Sequence, residues 1–133
     1  MRTKFFAIAV CLLGGVVSTH AQAGGLKVNV PFDFEVANKT LSAGEYVIWS
    51  QRELVMLRAS SGIIVAKVQA NRTLHDVGQS GKVVFNCYQN RCFLSQLWTP
   101  EAERAREIVK SKNEREISRR SEAVEFALLG VPR

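Results

Sequence analysis

Apolar and polar side chains alternate strictly near residue 30, which is the clearest element signal in the chain. The apolar positions of this stretch are Val28, Val30, Phe32, Phe34 and Val36. A period of two predicts a β-strand with one face against a core. Pro31 has no backbone N–H, so we expect this strand at a sheet edge or at a bulge.

Three further strands are predicted downstream. Tyr46–Ser50 and Leu54–Ala59 come first, and Ile63–Ala70 follows after the turn Ser60–Gly62. Leu74–Gly81 is rich in polar residues and glycine and predicts a loop. Short strands with frequent turn signals are typical of a small antiparallel barrel or sandwich, here of about six to seven strands.

A β-hairpin joined by a disulfide bond is predicted around Gln89–Asn90. This dipeptide lies between two runs rich in β-branched and aromatic residues, which favours a two-residue loop. Such a loop places Tyr88 opposite Arg91 and Cys87 opposite Cys92, in the pair type with the closer Cα atoms. Four residues between the cysteines do not fit a redox motif. Too few other soft ligands accompany them for a closed zinc site.

After this hairpin the composition changes, and a charged helical segment is predicted over residues 99–122. Thr99–Pro100 is an N-cap followed by a proline at the first helical position. Ser111–Glu114 fits a capping box at which a helix restarts. The seven basic and seven acidic residues from Glu101 to Glu125 favour a solvated, ion-paired surface.

Residues 24–133 are predicted to form a single β-rich domain. It consists of strands over 24–98, the charged segment and an apolar tail over 123–133. Val124–Leu129 in this tail is apolar again, and the run is too short for periodicity to distinguish a closing strand from a helix end.

Residues 1–23 are typical of a secretory signal peptide. A positively charged start precedes the uncharged run Phe5–Val17, and Ala21–Ala23 is the small-x-small pattern that a signal peptidase accepts. The run is too short to cross a membrane, so no transmembrane anchor is expected after cleavage. Lipidation at Cys11 is an alternative, which the bulky Val10 before it disfavours. We therefore predict export to the periplasm or the extracellular space, where disulfides persist.

Three short motifs resemble an uncharacterised family of small exported bacterial proteins. They are Val28-x-Val30-Pro31-Phe32-x-Phe34, Leu41-x-Ala43-Gly44-x-Tyr46 and Phe93-Leu94-Ser95-x-x-Trp98. The resemblance covers residues 26–120 and implies a compact β-rich exported domain with a charged C-terminal segment. It implies no activity, and the cysteine pair is not a hallmark of that family.

No complete catalytic constellation is evident in the sequence. His75 is the only histidine after the signal segment, and with Asp76 and Ser80 nearby it is the candidate base of a weak hydrolase. No nucleophile elbow and no phosphate-binding glycine loop accompanies it. No cofactor and no metal site is predicted. The chain has a net charge of +6, but its basic residues alternate with acidic ones, which argues against nucleic-acid binding.

Large aromatic residues suggest a second possibility, a ligand-binding surface. Tyr46, Trp49 and Trp98 are the speculative ligand-binding residues of a small-molecule carrier with an apolar pocket at a barrel mouth. Aromatic residues at strand period more often fill a core. The sequence therefore favours a non-enzymatic exported domain with a binding or cell-envelope structural role. Its partners are unknown, and envelope components are candidates.

Overall fold

The computed structural model describes residues 25–76, 80–100 and 104–132. Within these ranges, the side chains of residues 74–76 and 104 are not described. The predicted signal segment, residues 1–23, lies outside the described residues. Most described residues are in β-strands, so the mainly β fold class is confirmed.

Eleven strands and one helix are found among the described residues. The first six strands are β1 (Leu26–Val30), β2 (Phe34–Val36), β3 (Lys39–Leu41), β4 (Gly44–Gln51), β5 (Leu54–Ala59) and β6 (Ile64–Asp76). The later elements are β7 (Lys82–Tyr88), β8 (Arg91–Trp98), β9 (Arg104–Ile108), α1 (Lys112–Ser118), β10 (Val124–Leu129) and β11 (Val131–Pro132). The predicted number of strands is too low, because the first strand is divided and the charged segment and tail add further strands.

The strands join into one hydrogen-bonded sheet with the order β10-β7-β8-β9-β6-β5-β4-β1-β11. The short hairpin β2–β3 attaches to β8, where Glu35 of β2 pairs with Phe93 in parallel. Arg91 donates to both carboxylate oxygens of Glu35 at 2.8 Å, and this two-point ion pair holds β2 against β8. The sheet does not close, so the predicted small barrel or sandwich is not confirmed.

The two ends of the sheet are adjacent in sequence, because only Gly130 separates β10 from β11. Gly130 donates its N–H to the carbonyl oxygen of Gly81 at 3.1 Å. A Cβ atom on Gly81 would overlap Cδ2 of Leu26, and one on Gly130 would lie 3.0 Å from Cγ2 of Val28. Gly81 therefore allows the start of β7 to approach β1 closely, and Gly130 does the same for the chain between β10 and β11.

Apolar side chains on one face of the sheet pack into a continuous core. Phe34 contacts Phe85 and Tyr46 edge to face, with ring centroids 5.3 Å apart in both pairs. This geometry is favoured for aromatic rings. Other fully buried members of the core are Leu26, Val28, Val30, Ile48, Val55, Leu57, Val83 and Leu97. Each such side chain contributes about 1.5–3 kcal/mol when it is removed from water.

The first predicted strand is divided at its proline. β1 ends at Val30, directly before Pro31, and β2 begins at Phe34. β1 pairs with β4 along its whole length, but β11 covers only Leu26 and Lys27 on the other side, so the end of β1 beside the proline has one hydrogen-bonded neighbour. The proline also marks the end of the strand, because it cannot donate a ladder hydrogen bond.

The charged segment differs most from its prediction. Residues 104–108 form β9 between β6 and β8 instead of a helix, and the seven-residue α1 is the one helix in the described ranges. Ser111 accepts a hydrogen bond from the N–H of Glu114 at 3.2 Å, which confirms the predicted N-cap. Val124–Leu129 is a strand, and β6 extends into the predicted loop Leu74–Gly81.

The cysteine hairpin is confirmed at the level of its register. Tyr88 pairs with Arg91 and Cys87 with Cys92, and the two sulfur atoms lie at disulfide distance, 2.06 Å. Gln89, in the turn, has φ of 58°, a left-handed conformation that non-glycine residues rarely adopt. The two-residue loop therefore forms despite an unfavourable residue at its first position.

Reduction of the Cys87–Cys92 bond is expected to lower the free energy of unfolding by about 2 kcal/mol, because the bond closes a short loop. Urea unfolding of the oxidised and the reduced protein measures this difference. A variant with both cysteines replaced by serine should match the reduced protein. Complete unfolding on reduction would contradict the role of the bond as a local constraint of one hairpin.

Candidate functional site

A polar groove of about 440 Å³ is formed mainly by strand residues whose side chains alternate with those of the core, and it also includes Ile108 from the edge of the core. Its lining residues come from β6 to β10 and from the segment after β9. They are Asn71, Asn86, Ser95, Gln96, Glu107, Ile108, Val109, Lys110 and Glu125. All of these except Ile108 and Val109 have polar or charged side chains, which distinguishes the groove from the apolar core.

Strand register brings the groove residues together. Asn71 pairs with Glu107 across β6 and β9, and Glu107 pairs with Gln96 across β9 and β8. Glu125 of β10 pairs with Asn86 of β7. Residues directly opposite one another in antiparallel strands share a face and lie within side-chain contact. The groove is therefore assembled from segments that are far apart in sequence.

A buried hydrogen-bond network lies beside the groove, between α1 and the sheet. Glu114 is 3% exposed, and its Oε2 accepts hydrogen bonds from the Tyr88 hydroxyl at 2.9 Å and from Asn86 Nδ2 at 3.3 Å. Asn86 Nδ2 also donates to Ser95 Oγ at 3.1 Å. Because Asn86 and Ser95 belong to both features, the network fixes part of the groove wall.

A β-bulge in β8 places Ser95 in this network. Val84 pairs with Gln96 and Phe85 with Leu94, which leaves Ser95 as the extra residue of the ladder. Ser95 is largely buried. Without the bulge, the alternation of strand faces would not allow Ser95 and Gln96 to line the same groove.

The network also changes the titration of a tyrosine. Burial raises the pKa of Tyr88 from its ordinary value of 10.0 to about 12, with a hydrogen bond to Glu114 and the negative charge of Glu114 adding to the effect. The folded pKa lies above the unfolded one. The resulting stabilisation is therefore complete below the unfolded pKa and disappears as the pH rises through the folded pKa.

We expect this contribution, roughly 3 kcal/mol, to be lost as the pH rises from 10 to 12. The free energy of unfolding in urea is measured for the wild type and for Tyr88→Phe at each pH. Taking the difference between the two proteins cancels the contributions of the other titrating groups. The difference should shrink over this range. A constant difference would contradict the raised pKa of Tyr88.

The groove lining is rich in amide and hydroxyl side chains. Asn, Gln and Ser side chains both donate and accept hydrogen bonds, as is needed to match a ligand with hydroxyl or amide groups. Glu107 and Glu125 outnumber Lys110, so the charged side chains of the lining carry a net negative charge.

The aromatic residues predicted to bind a ligand lie on two strands, β4 and β8. Tyr46 belongs to the core and is 7% exposed. Trp49 of β4 has the Arg58 guanidinium 5.5 Å from its ring centroid. Trp98 of β8 donates its Nε1–H to Gln96 Oε1 at 2.9 Å, which places it beside the groove. A shared ligand-binding role for these three residues stays a prediction.

The side chain of His75 lies outside the described residues, so the hydrolase hypothesis stays a prediction. Within the described part of the chain, no group of three or more His, Cys, Asp or Glu residues could hold a metal ion. The helix in the described ranges is not long and apolar enough to cross a membrane.

Comparison with models of protein families, with curated proteins and with solved structures found no match for this chain. The groove therefore has to be interpreted from its own residues. Sequence reasoning missed these residues, although polar Asn86 and Ser95–Gln96 in otherwise apolar strands were a signal of a second functional face. Glu107 and Lys110 fall in the segment predicted to be helical, so the sequence gives no sign that they lie beside β6 and β8.

Proposed function

We propose that this protein is a non-enzymatic exported domain that binds a small polar ligand in the groove, as part of a cell-envelope or extracellular role. The observation that carries the proposal is that the buried hydrogen-bond network and the groove share the residue Asn86. Asn86 is held by Glu114 and Ser95 while it also lines the groove. A polar group whose position is fixed before binding loses less conformational entropy when the ligand arrives.

The lining favours a ligand that carries several hydroxyl or amide groups, such as an amino sugar. Amide and hydroxyl side chains can satisfy both donors and acceptors on such a ligand. Ile108 and Val109 add a small apolar surface against which a ring could pack. Trp98, fixed by Gln96, adjoins this lining and extends the surface.

Two features support export. The signal-like residues 1–23 precede the domain, and the Cys87–Cys92 pair lies at disulfide distance, which suits an oxidising compartment. Intact mass of the protein isolated from its host tests this part. We expect a chain that starts at Gly24 and lacks two hydrogen atoms relative to its reduced form. A full-length cytosolic chain with both thiols free would contradict export.

Calorimetric titration with glucose, N-acetylglucosamine and alanyl-alanine tests the binding site. At least one probe should bind, and replacing the groove pair Asn71→Ala and Glu107→Gln should weaken that binding roughly tenfold, as expected for the loss of ligand hydrogen bonds. Asn29→Ala on β1 is the matched control, because Asn29 is also an exposed strand residue but does not line the groove. Equal affinity in both variants, or no binding of any probe, would contradict the proposal.

An apolar-ligand carrier is the second candidate, and one observation favours it. The last strands expose large apolar side chains: Val124 is 67% exposed, Phe126 46% and Leu129 76%. The Phe126 ring also contacts Phe32 edge to face, with centroids 5.5 Å apart. Exposed apolar surface of this kind marks binding sites for apolar groups.

A further inference from the structure

Two arginines face each other on the inner side of the sheet, away from the groove. Arg72 of β6 pairs directly with Arg106 of β9. Arg106 also pairs with Leu97 of β8, a fully buried core residue, and it lies two residues before Ile108 of the same core. Alternation along the strand therefore directs Arg106 to the core face, and its register partner Arg72 shares that face.

This pair is unfavourable as it stands. Like charges directly opposite in a sheet destabilise it. The Nε–H of Arg106 is buried, and no hydrogen-bond acceptor for it is found among the described residues. Burial and the positive charge of Arg72 lower the pKa of Arg106, and the negative charge of Glu53 offsets this only in part. A buried donor without a partner is rare in proteins, and a bound ion is one way to satisfy it.

We propose that Arg72 and Arg106 bind a small oxyanion, a carboxylate or a phosphate group, on the core face of β6 and β9. Two guanidinium groups on adjacent strands offer a set of planar donors that matches the oxygens of such an anion. Arg72 is exposed and Arg106 half-buried, so an anion can approach the pair from solvent. Binding would remove the repulsion between them. The site is separate from the groove and does not depend on the proposed function.

Affinity measurements at constant ionic strength test this site, with inorganic phosphate and succinate as probes and the disulfide-bonded chain of residues 24–133 as the protein. We expect binding of at least one probe to the wild type, and roughly tenfold weaker binding to Arg72→Gln, as expected when one charged hydrogen-bond donor is removed. Arg106→Gln should weaken binding by at least as much. Arg120→Gln, at an exposed arginine after α1, is the matched control and should bind like the wild type.

A second measurement separates the site from a general effect of charge. In buffer free of oxyanions, Arg72→Gln should unfold at the same or a higher temperature than the wild type, because the substitution removes the repulsion on Arg106. Phosphate should raise the unfolding temperature of the wild type more than that of Arg72→Gln. The proposal would be overturned if phosphate raised the unfolding temperature of both proteins equally, or if chloride at the same ionic strength raised it as much. Unchanged affinity in Arg72→Gln would also overturn it. The proposal would likewise be overturned if Arg72→Gln unfolded at a lower temperature than the wild type in buffer free of oxyanions.

Discussion

Replacing Glu114 with alanine is expected to lower the free energy of unfolding by about 3 kcal/mol. The substitution leaves the buried Tyr88 hydroxyl without its acceptor and removes one of the two acceptors of Asn86 Nδ2. An unsatisfied buried polar group costs about 1–3 kcal/mol. The helix α1 has seven residues and is too short to persist alone, so it should separate from the sheet as well.

The chain offers a matched control for this experiment two residues further along α1. Glu116 is exposed, so Glu116→Ala should change stability by less than about 0.5 kcal/mol. Glu114→Gln keeps an acceptor near Tyr88 and should cost less than Glu114→Ala. Urea unfolding measures all three variants. Similar losses in Glu114→Ala and Glu116→Ala would show that the network does not anchor the helix.

The second large effect is expected at Phe85 in the core. Phe85 is fully buried and contacts Phe32 and Phe34 edge to face, at 5.2 and 5.3 Å between centroids. Phe85→Ala removes this packing and leaves a cavity, so we expect a loss of about 4 kcal/mol. Phe126 also contacts Phe32 but is 46% exposed, so Phe126→Ala should cost about 1 kcal/mol.

Thermal and urea unfolding of the two phenylalanine variants decide this point. If Phe126→Ala lowers the free energy of unfolding nearly as much as Phe85→Ala, the Phe126 side chain is part of the buried core and not an exposed surface. In that case the exposed apolar residues of the last strand would no longer support an apolar-ligand carrier.

Local patterns were sufficient for the hairpins and insufficient for the charged segment. The turn at Gln89–Asn90 fixes its own register, so the pairing of Cys87 with Cys92 follows from the sequence alone. Residues 104–108 are charged and helix-compatible, yet they form β9 because β6 and β8 offer unpaired edges on both sides. Tertiary pairing of this kind overrides weak local propensity.

The candidate site depends on the same long-range pairing, which explains why sequence reasoning did not find it. Ser111–Glu114 was recognised as a helix start, and its cap is confirmed. The hydrogen bond from the Tyr88 hydroxyl to the Glu114 carboxylate does not follow from the sequence, because it depends on how α1 packs against β7. Asn71 and Glu107 likewise become neighbours only through the register of β6 and β9.

The most direct test of ligand binding in the groove is a map of backbone amide chemical shifts. The ¹⁵N-labelled protein is titrated with the low-molecular-weight fraction of its host's envelope, and with the probe that binds best in calorimetry. We expect shifts concentrated at Asn71, Asn86, Gln96 and Glu107, and much smaller ones in Glu114→Ala. Shifts concentrated instead at Phe32, Val124 and Phe126, with the groove amides unchanged, would contradict this site and favour an apolar ligand at the last strand.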